Sequence, residues 1–322
     1  MSESNNRDAA YELVTEAILA ELANGVAPWR KPWRAICSGA LRASGEEYQG
    51  INQFLLSLRG SRAGYSSRLW ITFNQARKWG GAVRKGEKSS PVVFWKFLQT
   101  KERDEKTGEV KQKTIPLLRY YRVFNVEQCD NVETPAALAK KIEAGLVRPA
   151  DPNAEAEKVC SEYLAKDGPR LTWTPTDRAC YSPVRDHVTM PVREQFETSN
   201  GLYGTLFHEL GHSTGHSSRL DRGLDKVLAP FGSEDYSREE LVAELTSAFV
   251  LAKLGTDPEV PLRASYFQSW QKVFEDDKRA MVWAASRAEK ASNLILGVEK
   301  AASKGAAETT DEGEGGESEL AA

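Results

Sequence analysis

The apolar positions change their period along the chain, and the changes mark out its elements. Over residues 8–24, Tyr11, Leu13, Val14, Ala17, Ile18 and Leu22 recur at helical spacing, and Gly25 ends the run. Pro28 and Pro32 then forbid regular helix, so Ala27–Arg34 reads as an extended segment. Phe54, Leu55 and Leu58 mark a second helix. Arg68–Phe73 alternates like the start of a strand, and a short helix follows over Asn74–Trp79. Gly80–Lys88 reads as a glycine-punctuated basic turn. Pro91–Phe97 and Ile115–Asn125 read as strong strands, with polar Lys101–Lys113 between them as an exposed hairpin loop.

The second half has a different rhythm. A helix is expected over Asn153–Lys166, then short strands at Leu171–Trp173, Ala179–Tyr181 and Asp186–Pro191. Leu202, Tyr203, Leu206 and Phe207 bring helical spacing back. Ser237–Val250 reads as a helix with Ser237 as its N-cap and Glu240 in a capping box. Helices over 261–300 carry Trp270, Phe274, Met281, Trp283, Leu294 and Leu296 as a core cap. From Ser303 no large apolar residue occurs before Leu320, which predicts a disordered acidic tail. The pattern predicts an α+β fold in two domains: 1–130 and 153–302, with a linker at 131–152 that contains one helix and a tail at 303–322.

Charge sharpens this division. The net charge of −3 hides 20 Lys/Arg against 7 Asp/Glu between Val26 and Asn125, a net of +13, so the remainder carries −16. One half is built to meet a polyanion and the other is not. Five of the eight tryptophans also lie in the basic half. Interleaved aromatics and cations suit single-stranded nucleic acid, because bases stack on rings while cations follow phosphates. Trp70, Trp79 and Trp95 sit among apolar neighbours and are expected in the core. The contacts are expected from Trp29, Arg30, Lys31 and Trp33 on the extended segment, Tyr48 and Asn52 before the second helix, and Arg68, Arg84, Lys85 and Lys88. No apolar run approaches the roughly 20 residues of a membrane span, and Met1–Asp8 is polar. Cys37, Cys129, Cys160 and Cys180 are scattered without a Cys-x-x-Cys pair. Together these predict a cytoplasmic protein without a membrane partner.

The densest chemistry is Phe207-His208-Glu209-Leu210-Gly211-His212-Ser213-Thr214-Gly215-His216. Residues four apart on a helix share a face, so His208 and His212 can reach one metal ion. Glu209, about 100° round the helix, can take the proton of a water that the metal has acidified. This His-Glu-x-x-His order is the zinc-metallopeptidase signature. A straight helix would carry His216 about 12 Å from His208, too far for a shared ion. The third ligand is therefore expected from Glu240 or Glu244, one turn apart, with the other behind an imidazole. Tyr236 is placed either to donate to an oxyanion or to pack. His187 is expected to be an exposed strand residue.

Gly25-Val26-Ala27-Pro28-Trp29-Arg30-Lys31-Pro32-Trp33, Tyr48-Gln49-Gly50-Ile51-Asn52, Trp70–Ala76, Arg84–Glu87, His208–His216 and Glu239–Glu244 together resemble the ArdC family of plasmid antirestriction proteins and the N-terminal region of TraC-type primases. The resemblance covers nearly everything except the tail. It implies a single-stranded DNA-binding domain followed by a zincin-like metallopeptidase domain. It also implies a divalent metal (Zn2+ before Mn2+), a protein substrate such as a host restriction factor, and protection of plasmid DNA during conjugation. Two other readings follow from the same residues: a DNA-coating protein with the zincin as scaffold, and a metal-dependent nuclease, against which the His-Glu-x-x-His order argues.

Overall fold

The computed structural model describes residues 10–16, 18–19, 39–103, 110–144, 152–226, 233–256 and 264–298. Trp29, Arg30, Lys31, Trp33 and the segment 303–322 lie outside the described residues.

The fold is α+β, as the patterning predicts. Residues 10–16 and 18–19 are helical (α1), followed by α2 (Gly50–Ala63), β1 (Trp70–Ile71), α3 (Phe73–Lys78), β2 (Ala82–Val83), β3 (Ser90–Arg103), β4 (Val110–Asn125), β5 (Cys129–Asp130) and α4 (Ala136–Ala144). The second half runs α5 (Pro152–Lys166), β6 (Arg170–Thr174), β7 (Cys180–Ser182), β8 (His187–Pro191), α6 (Ser199–Ser213), α7 (Glu234–Lys253), α8 (Ala264–Asp276) and α9 (Ala280–Ile295). The first half carries a β1-β4-β3 sheet and a β2-β5 pair, the second a β6-β8-β7 sheet. In that last sheet β6 runs parallel to β8 and β7 antiparallel to it. No helix among the described residues is long and apolar enough to cross a membrane.

Two expectations are corrected. The β3–β4 ladder continues to Arg103↔Val110, so most of the polar stretch expected as a loop is strand. An antiparallel ladder is held by main-chain hydrogen bonds and needs no apolar side chains. In the second-half sheet β8 is central and β7 is an edge strand, and both lie against α6. α7 begins a turn earlier than predicted. Ser233 caps it, accepting from the Tyr236 amide at 3.2 Å. Ser237 is buried inside it, with its carbonyl accepting from the Trp270 indole at 3.1 Å. That removes Glu240 from any capping box.

The two halves share a core. Tyr11, Val14 and Ile18 of α1, Ile51 and Phe54 of α2 and Val93 of β3 pack in one buried cluster with Leu241, Leu245, Trp270, Phe274 and Met281. Leu138 of α4 is buried with Leu69, Ile71 and Ala76, so the helix of the expected linker is docked on the first half. A second cluster joins α5, β8, α6 and α7, including Tyr163, Met190, Leu206, Phe207 and Val250. Trp70 is buried and Trp79 partly so, as expected.

Gly211 sets how closely α6 meets α7. A Cβ built there would stand 3.2 Å from Ala243 Cα and from Thr246 Cβ, tighter than ordinary contact. A larger residue must push the helices apart. Gly211→Val is expected to lower stability by about 1–3 kcal/mol, the usual cost of overpacking. A thermal melt of the metal-free chain checks this, and an unchanged midpoint would refute the close-approach role.

Candidate metal centre

α6 is anchored at its start by Thr198, whose hydroxyl accepts from the Gly201 amide at 3.0 Å. Its apolar face (Leu202, Leu206, Phe207, Leu210) sinks into the core. The 3.6-residue period then turns His208 and His212 toward α7. The two Nε2 atoms face each other at 3.2 Å. Glu240 spans the pair, with one oxygen 3.5 Å from His208 Nε2 and the other 3.5 Å from His212 Nε2.

Each imidazole is backed by a further carboxylate. Glu244 Oε1 lies 3.5 Å from His208 Nδ1, and Glu239 Oε1 lies 3.3 Å from His212 Nδ1. Carboxylates at Nδ1 favour the tautomer that leaves Nε2 as a lone pair. Once those nitrogens give up their protons, two lone pairs pointing at one spot and closed by a carboxylate repel unless a cation takes the protons' place. The donor set therefore fits a divalent metal, and one ligand atom from each of His208, His212 and Glu240 lies within 4.8 Å of the others. The geometry puts Glu240 at the point of convergence and Glu244 behind His208.

Electrostatics follow from this crowding. Burial pushes the His212 imidazole down, but hydrogen bonds to Glu239 and Glu240 outweigh it and hold its pKa well above the ordinary value. His208 is raised for the same kind of reason, through Glu240 and Glu244. Burial would lift Glu240; its hydrogen bonds to the two imidazoles instead hold it far below the usual carboxylate range. Glu209 behaves oppositely. It is buried beside the cluster, and burial raises its pKa against the pull of the imidazoles and of the Tyr181 main chain on β7.

A sign for metal binding follows. In the metal-free protein the imidazoles keep their protons to higher pH than a free histidine, and a cation must displace them. Affinity is expected to rise with pH, and to go on rising above the ordinary histidine pKa of about 6.5. Calorimetry in buffers of different ionisation heat would register proton release at pH 7. Affinity independent of pH between 6 and 8 would contradict the arrangement.

The loop after α6 supplies a part that sequence reasoning missed. Arg222 grips Glu239 with two bonds, Nε to Oε2 at 2.9 Å and Nη2 to Oε1 at 2.6 Å. The same guanidinium donates to Thr214 Oγ1 at 2.8 Å and to the Gly211 carbonyl at 2.9 Å. It thus ties the end of α6 to the carboxylate that orients His212. Arg219 does similar work one turn back, donating to the Ser213 carbonyl and pairing with Asp186, which also accepts from Tyr181. Arg222→Lys cannot reproduce the fork. It is expected to weaken metal affinity by roughly 10–100-fold, as loss of an orienting partner does, with the change read by competition against a chelating dye.

His216 lies outside the convergence, bonded to Ser218 and 4.0 Å from Asp225. His187 is only partly exposed, and its Nε2 sits 2.9 Å from Thr172 Oγ1 across the β6–β8 ladder.

Comparison with known proteins fits this geometry. The family described as the N-terminal domain of anti-restriction factor ArdC matches residues 8–124, and the one described as zincin-like metallopeptidase matches 158–287. The crystal structure of antirestriction ArdC protein from plasmid R388, metal-free, superposes with a TM-score of 0.68 at 38% identity, covering 88% of this chain and 96% of that one. Its Mn(II)-bound structure gives 0.68 at 37%, covering 89% and 97%. The chain belongs to the ArdC family of antirestriction proteins. Among curated relatives it is 36% identical to a DNA primase TraC of Escherichia coli over 306 residues, 90% of this chain but only 20% of the primase. It is 33% identical to the uncharacterized protein y4eC of Sinorhizobium fredii (strain NBRC 101917 / NGR234), over 88% of this chain and 91% of that one. The chain thus spans about a fifth of that primase.

In this ArdC-family chain several residues expected at the nucleic-acid surface are used inside the fold. Arg68 is buried, and its guanidinium donates to the Gly39 carbonyl and, at 2.9 Å, to Glu47. Asn52 exchanges hydrogen bonds with the main chain of Val93, fixing α2 to β3. Tyr48 is buried under Arg42, whose guanidinium lies 5.2 Å from its ring. Arg84, Lys85 and Lys88 are exposed on the β2–β3 connection, Arg84 bridging to Glu87 and donating to the Glu127 carbonyl.

Proposed function

We propose that this protein binds single-stranded DNA through its basic first half and hydrolyses peptide bonds at the centre between α6 and α7. In the cytoplasm it would shield incoming plasmid DNA from restriction during conjugation, with a host restriction factor as the protein substrate. The observation that carries the peptidase part is the convergence of His208, His212 and Glu240 with the buried Glu209 carboxyl beside them. The two imidazoles and Glu240 are the ligands; Glu244 and Glu239 orient the imidazoles.

A bound divalent cation supplies Lewis acidity and acidifies water there. Two nitrogens and one oxygen suit Zn2+, while the Mn(II)-bound relative makes Mn2+ the alternative. Glu209 accepts the proton of the attacking water as oxygen adds to the scissile carbonyl carbon. It then gives the proton to the amide nitrogen as the C–N bond breaks. Burial keeps its carboxyl basic enough for both transfers. Edge strand β7, whose main chain already meets Glu209, offers an extended substrate a strand to pair with. The net charge of +13 over residues 26–125 supports the nucleic-acid part.

The test is cleavage of an unstructured protein such as casein by the full chain. It should stop on chelation and return with Zn2+ or Mn2+. Absence of cleavage with either metal, while single strands are still bound, would leave a DNA-coating protein with a metal-bearing scaffold.

A further inference from the structure

Arg219, on the loop after α6, is a buried cation to which peptide hydrolysis as described assigns no part. Its side chain is only 3% exposed. Nε donates to the carbonyl of Ser213, the residue after His212, at 2.7 Å. Nη1 donates to the Asp167 carbonyl just beyond α5 at 2.9 Å and to Asp186 Oδ2 at 3.0 Å. Nη2 donates to Asp186 Oδ1 and, at 3.3 Å, to the Tyr181 hydroxyl. That hydroxyl in turn donates to Asp186 Oδ1 at 2.8 Å, which closes a ring of three side chains. Asp186 forms the turn between β7 and β8 in a left-handed conformation, φ 45°, with its carbonyl accepting from the Arg170 amide at 3.0 Å. One guanidinium therefore joins the ends of α5 and α6 to β7 and its turn.

Tyr181 is held from its other side as well. It is the middle residue of the three-residue edge strand β7, and its main chain donates to the Glu209 carboxylate. Glu209 follows His208 on α6, and Ser213 follows His212. The strand that meets the general base is thus fixed to the same helix that presents the two imidazoles.

Filling space does not account for such a hub. Replacing a buried ion pair by apolar residues is often neutral or stabilising. Apolar packing has no direction, however, whereas a guanidinium fork sets angle as well as distance. Direction matters here because β7 is short and paired on one side only among the described strands. A misplacement of about 1 Å in a reacting group can cost roughly 100-fold in rate.

We propose that Arg219 is a positioning residue: through Asp186 and the Tyr181 hydroxyl it locks β7 against α6, so that the Tyr181 main chain holds the Glu209 carboxyl in place for proton transfer. This rests on the peptidase reading above and adds what fixes the general base. Arg219 acts through β7 and touches neither Glu209 nor the three converging ligands.

The experiment follows residue-resolved amide hydrogen exchange in the metal-free full chain and casein cleavage by the Zn2+-loaded chain. Tyr181→Phe keeps the ring and the Arg219–Asp186 pair but releases the strand from both. The amide at position 181 is expected to exchange roughly 2- to 10-fold faster, the weight of one modest hydrogen bond, with the amides of α6 unchanged. Cleavage should slow roughly 10- to 100-fold, while Zn2+ binding, read against a chelating dye, keeps the parent affinity and stoichiometry. Arg219→Lys cannot reproduce the fork and should act in the same direction more strongly, assayed below its own melting midpoint. The proposal is overturned if either exchange at position 181 or cleavage stays at the parent value in both variants. A loss of cleavage matched by a loss of Zn2+ binding also overturns it, because the hub would then only hold the fold. In each of these cases cleavage by the parent leaves the peptidase reading standing. If the parent cleaves nothing with Zn2+ or Mn2+, the peptidase reading and the positioning role fall together.

Discussion

Glu209→Gln is expected to abolish peptide hydrolysis while leaving the fold and metal binding in place. Glutamine keeps the size of the side chain and its ability to accept from the Tyr181 main chain. What it loses is the capacity to take a proton and return it. General-base catalysis by a positioned group is worth about 10²–10⁴-fold, and here the same carboxyl serves both transfers, so kcat should fall by at least that range with the substrate KM little changed. Because Glu209 is not among the residues that converge on the metal, chelator competition should give the parent affinity. The variant also separates the biological readings. If it still protects plasmid DNA from restriction, protection comes from covering the strand, and the peptidase serves something else.

The second large effect separates two glutamates that the sequence leaves equivalent. Glu240→Ala removes the carboxylate that spans both Nε2 atoms at 3.5 Å. It should reduce metal affinity beyond the roughly 10–100-fold typical of an orienting partner, and activity with it. Glu244→Ala removes only the group behind His208 Nδ1, so its loss should stay within that range. Titration of each metal-free variant with Zn2+ against a chelating dye reads both. Equal losses would mean that the two carboxylates share the role, and a larger loss from Glu244→Ala would reverse the assignment. Both variants leave uncompensated imidazoles in a buried site, so each melt should be compared with the parent before the affinities are.

How much of this was legible in the sequence depended on the range of the interaction. The His-Glu-x-x-His pair was legible because helical geometry is local: four residues bring His208 and His212 to one face wherever the helix sits. The choice between Glu240 and Glu244 was not. It depends on how α7 crosses α6, which is set by Gly211 against Ala243 and Thr246. The start of α7 is ambiguous in the sequence because Ser233 and Ser237 both suit an N-cap. The deciding contact, Trp270 on the Ser237 carbonyl, comes from 33 residues away. Arg222 and Glu239 were visible as residues but not as partners, since their fork closes across 17 positions. Arg68 looked like a surface cation in a basic half, yet Glu47 and the Gly39 carbonyl take it inside.

The most direct measurement is an anomalous-difference map from a crystal of the full chain loaded with Zn2+ or Mn2+. The account predicts one strong peak bounded by the Nε2 atoms of His208 and His212 and a carboxylate oxygen of Glu240, with Glu209 beside it and Glu244 behind His208. A peak ligated through Glu244 or His216, or none at the α6–α7 crossing in a crystal that holds the metal elsewhere, would contradict it.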